Sequence, residues 1–338
     1  MSAPKPHRRA FLSRLALLGA GAAAFLAVRH QLAWPTPKIV FRQGASSGWL
    51  PLAGEGRLIE LPARVRGVAV QAIIDSGAQY SAIDAGLAEQ LGLSAAIPIP
   101  LVAFGVSGPP SVTRAVRLDA DLGAFRIEGL RAAALDLRPL SELTRQPFSL
   151  LLGRDFLRAV VLEADLPARR IALLAVGSWV QPPSAQPVAG RLQSGGLMVK
   201  IRIEGGPPVK VMLDTGATGG LALAEDTARA AGLFDGRPMR TSPSVTLGGV
   251  MNDGIVRARS VEFAGQSFLD VDVQIYRPAR GSPAPMGLLG LGVLERFRIA
   301  LDLSSARLVL LGPVQPPRRR GGAPPARFGG FADLEPPH

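Results

Sequence analysis

The 338-residue chain contains no cysteine. Thiol nucleophiles, disulfides and cysteine-ligated zinc are therefore excluded. Its three histidines are His7, His30 and His338, all in segments that read as signal or tail rather than folded body. No histidine remains in the middle of the chain to act as a general base or metal ligand. A Ser-His-Asp triad and a His-x-x-x-His zinc site fall away together. Aromatic residues make up only 5% of the chain and charged residues only 19%. Any hydrolytic chemistry must then use carboxylates to move protons, and no metal or other cofactor is expected.

Glycine (39) and proline (30) are plentiful, and 47% of residues are hydrophobic. That mixture suits many short strands joined by tight turns better than a helical bundle. The length allows a sizeable core in one or two domains. The formal net charge of +12 invites a nucleic-acid reading, but its distribution opposes one. Lys5, Arg8, Arg9, Arg14 and Arg29 lie near the start with no acid among them, and Arg318, Arg319, Arg320 and Arg327 lie near the end. The body between has no basic stripe interleaved with aromatics, so no nucleic-acid partner is expected. A weakly basic surface near anionic lipid or peptidoglycan stays open.

The start reads His7-Arg8-Arg9-Ala10-Phe11-Leu12-Ser13, followed by an apolar, Ala/Gly-rich run from Leu15 to Val28. A positive stretch before a short apolar one is an export signal. The Arg-Arg-x-Phe-Leu core resembles the twin-arginine signal that carries folded proteins across a bacterial inner membrane. A membrane span needs ~20 apolar residues, and this run is shorter, which favours a cleaved signal over an uncleaved anchor. The expectation is an exported, periplasmic protein whose membrane contact is confined to residues 1–30.

Composition divides the remainder. Residues 31–56 read as a leader, 178–194 as a linker and 313–338 as a disordered tail, each rich in proline, glycine or serine. The segments between, 57–177 and 195–312, repeat each other. Each opens with alternating apolar residues, Ile59 to Val65 and Leu197 to Ile203, a strand pattern. A second strand, Ala72-Ile73-Ile74 or Val211-Met212-Leu213, runs into Asp75-Ser76-Gly77-Ala78 or Asp214-Thr215-Gly216-Ala217. Short helical segments follow, around Leu87–Leu91 and Ala224–Ala231. Late in each half comes Leu151-Leu152-Gly153 or Leu288-Leu289-Gly290, at nearly the same distance from the respective aspartate. Each of these glycines is followed, at one common interval, by a closing leucine, Leu174 or Leu311. A period this long exceeds that of any solenoid, so the chain reads as a duplicated domain.

The strand before each aspartate fixes the loop's position, glycine permits close approach, and the serine or threonine stiffens the turn. Two such loops facing across a pseudo-two-fold would bring their carboxylates together. Like charges a few ångströms apart cannot easily both ionise, so one proton is shared and the pair titrates in two separated steps. One member can then draw a proton from water while the other polarises a carbonyl. Taken singly, either loop would more often be an ordinary turn; two copies at equivalent places in a repeat are far more specific.

The pattern Asp-Ser/Thr-Gly-Ala, then Leu-Leu-Gly late in the same repeat, resembles the pepsin and retropepsin superfamily. Leu151-Leu152-Gly153-Arg154-Asp155 is most similar to its retropepsin-like side. The resemblance implies an all-β, two-lobed acid-protease fold of two β-barrel-like lobes with short helices, a fused counterpart of a retropepsin homodimer. It implies that Asp75 and Asp214 are catalytic, at the lobe interface below a substrate cleft. It implies that Ser76 and Thr215 brace the loops across the lobes, and that each Leu-Leu-Gly packs beneath its own loop. Glycine-rich flaps would be Phe104-Gly105 to Gly108 in the first half and Gly248-Gly249 in the second. The family's hydroxyl residue six after the aspartate is matched by Ser81, but Gly220 stands in the second copy, which should loosen that loop. Arg154 and Asp155 become Leu291 and Gly292, so any ionic bracing is one-sided. No counterpart of the pepsin flap tyrosine is found, since Tyr80 and Tyr276 lie elsewhere.

Two weaker features are explained without chemistry. Gly290-x-Gly292 belongs to the repeat, and Asp119, Asp121, Asp270 and Asp272 alternate at strand spacing as solvated faces rather than calcium ligands. The expected protein is a monomeric aspartic endopeptidase acting on peptide or protein substrates. The alternative is an inactive relative that binds peptides or an envelope partner in its cleft.

Overall fold

The computed structural model describes residues 34–53, 57–95, 101–103, 111–144, 146–246, 249–278 and 285–312. The elements below all lie in the body that begins at Thr36. Its first half contains β1 (Lys38–Phe41), β2 (Leu50–Pro51), β3 (Glu60–Val65), β4 (Val68–Ile74), β5 (Ala82–Asp84), α1 (Ala85–Gln90), β6 (Leu101–Ala103), β7 (Ser111–Thr113), β8 (Ala115–Asp121) and β9 (Phe125–Leu135). It continues with α2 (Arg138–Thr144), β10 (Leu150–Leu152), α3 (Arg154–Leu157), β11 (Val160–Asp165) and β12 (Arg170–Ala175). The second half begins with β13 (Gln186–Val188), β14 (Gly190–Gln193), β15 (Gly196–Ile203), β16 (Val209–Leu213), β17 (Leu221–Ala224) and α4 (Glu225–Ala230). Then come β18 (Met239–Thr246), β19 (Gly249–Phe263), β20 (Gln266–Tyr276), β21 (Gly287–Leu289), α5 (Leu291–Leu294), β22 (Arg298–Asp302) and β23 (Arg307–Leu310).

Alternation in the sequence becomes alternation in burial. Along β15, Leu197, Val199, Ile201 and Ile203 are buried while Lys200 and Arg202 face water. β3 behaves the same way, with Pro62 and Arg64 outward. The strands that feed the aspartate loops instead become continuously apolar: Ala72, Ile73 and Ile74 end β4, and Val211, Met212 and Leu213 end β16, all buried. That is what a strand covered on both faces requires, and each such large apolar side chain contributes roughly 1.5–3 kcal/mol.

Each half closes on itself. In the first, the order β9-β5-β10-β4-β3-β8 returns to β9, making a six-stranded barrel, with β1 added outside. In the second, β20-β17-β21-β16-β15-β19 returns to β20 in the same sequence of partners. The duplication read from spacing is therefore a duplication of topology, and the fold is the all-β, two-lobed one expected. Closure gives every strand of either ring a neighbour on both sides. Phe125 packs on Phe156 in the first core, and Phe297 meets Phe263 and Phe268 in the second.

A third sheet joins the halves. Its order is β13-β23-β22-β11-β12-β2, and its central pair is β11 against β22, with Leu162 opposite Leu301 and Ala164 opposite Ile299. The closing hairpins of the two repeats thus share one sheet. Trp49 lies beside Arg170 and Arg298, whose guanidinium carbons stand 4.6 and 5.2 Å from its ring centroid.

Two segments read from composition as connectors carry strands. Within the leader, β1 pairs with β9 and β2 pairs with β12. Within the linker, β13 pairs with β23 and β14 with β15. These strands are very short, and most of their ladder partners are distant in sequence, so composition could not reveal them. Residues 1–30, read from sequence as an export signal, and 313–338, read as a tail, lie outside the described residues. Among the described residues no helix is long and apolar enough to cross a membrane.

Candidate active site

The geometry starts with β10 and β21, the Leu-Leu-Gly strands. β10 runs parallel to β4, which enters the Asp75 loop, and antiparallel to β5, which leaves it. β21 does the same between β16 and β17. The wedge fixes each loop from below: the Asp75 N–H donates to Leu152 O and the Asp214 N–H to Leu289 O, both at 2.9 Å. Leu151, Leu152, Leu288 and Leu289 are buried as packing residues beneath the loops.

The loops then lock to each other. Thr215 Oγ1 accepts the Ser76 N–H at 2.9 Å and donates to Ile74 O at 2.8 Å. Ser76 Oγ accepts the Thr215 N–H at 3.0 Å and donates to Leu213 O at 2.9 Å. Ser76 and Thr215 are buried. Two small hydroxyl residues thereby satisfy two backbone donors and two acceptors that burial would otherwise leave unpaired.

This lock sets each carboxyl against the opposite loop, close enough for the two to act on each other. Asp75 Oδ1 accepts the N–H groups of Gly77 at 2.7 Å and Ala78 at 3.0 Å. Asp214 Oδ1 accepts the Gly216 N–H at 2.8 Å, and the Ala217 N–H also bears on it. A side chain at Gly77 would place its Cβ 2.5 Å from the Asp214 carboxyl carbon, and one at Gly216 would strike Asp75. Glycine is required at both places because the opposite carboxyl occupies the space.

Asp214 is 8% exposed and Asp75 half-buried. Burial pushes both carboxyls above the usual carboxylate range. For Asp75 the Ala78 and Gly77 N–H groups, the hydrogen bond with Asp214 and the Arg154 guanidinium pull in the opposite sense. For Asp214 the charge of Asp75 adds to burial and carries it well above that range. A pair split in this way holds one proton over a broad pH interval.

Below the loops the halves differ. Ser81 Oγ donates to Asp155 Oδ1 at 2.8 Å and accepts the Gly153 N–H at 3.0 Å, while the Ser81 N–H also donates to Asp155 at 2.9 Å. In the second half Gly290 N–H donates to Gly220 O at 3.0 Å and Gly292 N–H to Gly219 O at 3.1 Å. The second loop is therefore not left loose by Gly220. A Cβ on Gly292 would come within 2.8 Å of the Gly220 nitrogen, so backbone sits directly on backbone where the first half inserts a serine and an aspartate. The sequence signal for the Ser81–Asp155 pair was there: both residues become glycine together in the other copy.

Two arginines of the first half reach into the second. Arg57 pairs with Glu295 at 3.1 Å and donates to Thr218 O at 3.3 Å. Arg154, largely buried, meets Met212 Sδ at 3.5 Å. Sequence reasoning named Arg154 but not Arg57, whose partners Glu295 and Thr218 lie in the other repeat. Tyr276 is fully buried and its hydroxyl donates to Pro285 O. Burial, with the charge of Asp214 behind it, raises the phenol's pKa.

Of the flap candidates, Phe104, Gly105, Gly108 and Gly248 lie outside the described residues, and Gly249 opens β19. The strands leading to them are paired, β6 with β7 and β18 with β19. One expectation is corrected: Asp272 does not lie on a solvated face. It is buried between Arg257 of the adjacent β19 at 3.0 Å and Arg240 of β18, one strand further, at 2.8 Å, which neutralise it.

The sequence matches a family model described as Aspartyl protease over residues 61–156 and 199–293, more than half of the chain. Each matched segment contains one aspartate loop and its Leu-Leu-Gly strand. A comparison with curated proteins gives no match. Among solved structures, the chain is similar to a retropepsin-like aspartic protease from Rickettsia conorii at 23% identity. That likeness covers 37% of this chain and 89% of that one with a TM-score of 0.30. It is also similar to aspartic proteinase from Irpex lacteus at 14% identity, over 79% of this chain and 97% of that one, with a TM-score of 0.47.

Proposed function

The chain belongs to the aspartyl protease family, and from that premise we propose that it is an endopeptidase in which Asp75 and Asp214 activate water against a peptide bond. The observation that carries this reading is the placement of the two carboxyls, each cradled by backbone N–H groups, each against the glycine of the opposite loop, and held there by Ser76 and Thr215. Burial beside a like group means that one carboxyl holds a proton while the other is ionised.

The ionised member takes a proton from water as the oxygen attacks the peptide carbonyl carbon. The protonated member gives its proton to the developing oxyanion. Collapse of the tetrahedral adduct breaks the C–N bond: the amine leaves with the proton that came from water, and a hydroxyl of the adduct returns its proton to the carboxyl that had donated one as the new C=O forms. Electrons and protons balance with no covalent enzyme intermediate. The substrate is a peptide or protein segment, and a single chain supplies both carboxyls, so a monomer suffices.

The Arg8-Arg9 signal sequence supports export to the periplasm, with residues 1–30 as the membrane contact. N-terminal sequencing of the exported protein tests this, and retention of residues 1–30 would favour an anchor.

The decisive experiment is digestion of a peptide library by the purified protein from acidic to neutral pH, beside Asp75→Asn and Asp214→Asn. Cleavage by the parent that disappears in both variants supports the reading. Cleavage that persists in both overturns it, and a folded parent that cuts nothing at any pH points instead to peptide binding.

A further inference from the structure

The two loops are matched in backbone but not in buried charge. Arg154 N–H donates to Ala78 O at 3.0 Å, and Leu291 N–H donates to Ala217 O at 2.8 Å, so these residues start from equivalent points beneath Asp75 and Asp214. One carries a cation and the other a hydrocarbon. Arg154 is only 7% exposed. Among the described residues its Nε is buried without a hydrogen-bond partner, and an Nη meets the Met212 sulfur. A guanidinium so placed is costly unless negative charge lies near it.

The charges acting on it are those of Asp75, Arg158, Asp214 and Asp155, with Asp75 first among the carboxylates. Asp155 is already engaged by the Ser81 hydroxyl and N–H. Arg158 is itself a cation. Asp155 acts least of the three carboxylates, so the compensating charge is chiefly that of the carboxyl pair. On the opposite flank Arg57 is matched by Glu295 and adds no net charge. Tyr276, on the Asp214 side, is a neutral phenol.

We propose that Arg154 is a positioning residue that fixes the negative charge of the pair on Asp75 and the proton on Asp214, giving near-identical loops different tasks. The N–H donors are nearly matched on the two sides, Gly77 and Ala78 on Asp75 and Gly216 and Ala217 on Asp214, so the asymmetry comes from the unmatched Arg154. The opposing influences on the two groups point the same way: Arg154 favours the ionised form of Asp75, and that charge in turn opposes ionisation of Asp214. Asp75 would then take the proton from water and Asp214 would donate to the carbonyl oxygen. These two tasks rest on the peptidase reading; the charge distribution does not.

The test is carbon-13 NMR titration of the full-length protein labelled at aspartate carboxyls, with the two resonances assigned through Asp75→Asn and Asp214→Asn. Wild type should show Asp75 titrating below Asp214; the reverse order overturns the proposal without any further variant. Arg154→Leu, which copies Leu291, should raise the Asp75 midpoint by about one pH unit, a tenfold change in proton affinity. Arg154→Lys, which keeps the charge, should hold most of the wild-type value. An unmoved Asp75 midpoint in Arg154→Leu, or an equal shift in Arg154→Lys, sinks the idea. Because the readout needs no turnover, a protein that cleaves nothing yet shifts as described would refute the peptidase reading and leave this one standing. If cleavage is found, the acid limb of kcat/KM should move upward with the same midpoint.

Discussion

Ser76 and Thr215, from opposite repeats, each accept the other's backbone N–H through a side-chain hydroxyl, at 3.0 and 2.9 Å. Each hydroxyl also donates to the carbonyl of the residue preceding the opposite aspartate, Leu213 or Ile74. The two carboxyls are thus held by one cross-lobe device rather than by two independent loops. Thr215→Ala leaves the Ser76 N–H and Ile74 carbonyl buried and unpaired. Its expected cost is about 2–4 kcal/mol in urea unfolding, with a loss of cleavage larger than the loss of folded protein. Thr215→Ser, which reproduces the Ser76 arrangement, should stay close to the parent.

Asp214→Asn should abolish cleavage while raising stability at neutral pH. The folded-state pKa of Asp214 is raised, so the unfolded chain releases this proton first. The folded state is then penalised as pH rises through the interval between the unfolded and folded values. Asparagine never ionises and escapes the penalty. Melting temperatures compared across pH check this: the variant should gain on the parent as pH rises, and a variant that loses ground would contradict the assigned direction.

Gly220 and Gly292 should respond oppositely to alanine. A Cβ at Gly220 meets Val271 and Val293 at 3.5 and 3.6 Å, ordinary contact distances, whereas one at Gly292 meets the Gly220 nitrogen at 2.8 Å. Gly220→Ala is expected to fall within about 1 kcal/mol of the parent, since a lost glycine also restricts the unfolded chain. Gly292→Ala must push backbone from backbone, at a cost of about 2–3 kcal/mol. Equal effects in denaturant titration would show that the second lobe's floor is not packed in this way.

Local strings were legible in the sequence and distant pairings were not. Asp75, Asp214 and the Leu-Leu-Gly strands could be read because each is a short run of fixed type repeated at matched spacing. The closing hairpins could be read too, since they recur at the same place after Gly153 and Gly290. Barrel closure through β3–β8 and β15–β19 leaves no such trace, being set by ladders between strands that share only alternation. Lys38–Phe41 escaped notice because so short a strand in a proline- and glycine-rich stretch cannot reveal a partner at Phe125–Glu128. Asp272 misled because its alternation with Asp270 reads as a wet face, while Arg240 and Arg257 arrive from other strand positions to bury it. The Ser81–Asp155 contact was visible only as a correlated difference between the repeats.

Glu204 offers a test of electrostatics remote from the carboxyl pair. It sits in the turn after β15, 13% exposed at its side chain, with Arg237 at 2.6 Å and the Arg259 N–H at 2.8 Å. The Arg237 hydrogen bonds first, then those of Arg259, hold its pKa down at about 2 against the opposing effect of burial. A depressed folded-state pKa means that stabilisation is fully present above the unfolded value, roughly 4.3, and is lost as pH falls towards the folded one. Glu204→Gln keeps the shape and the backbone conformation but removes the charge, leaving Arg237 with Asp235 at 2.7 Å. The variant should be less stable than the parent by about 2 kcal/mol at neutral pH, with the difference shrinking towards zero as pH approaches 2. Urea unfolding of both proteins over that range measures it. A difference independent of pH would mean that Glu204 acts through packing, and that the two arginines are held by other contacts.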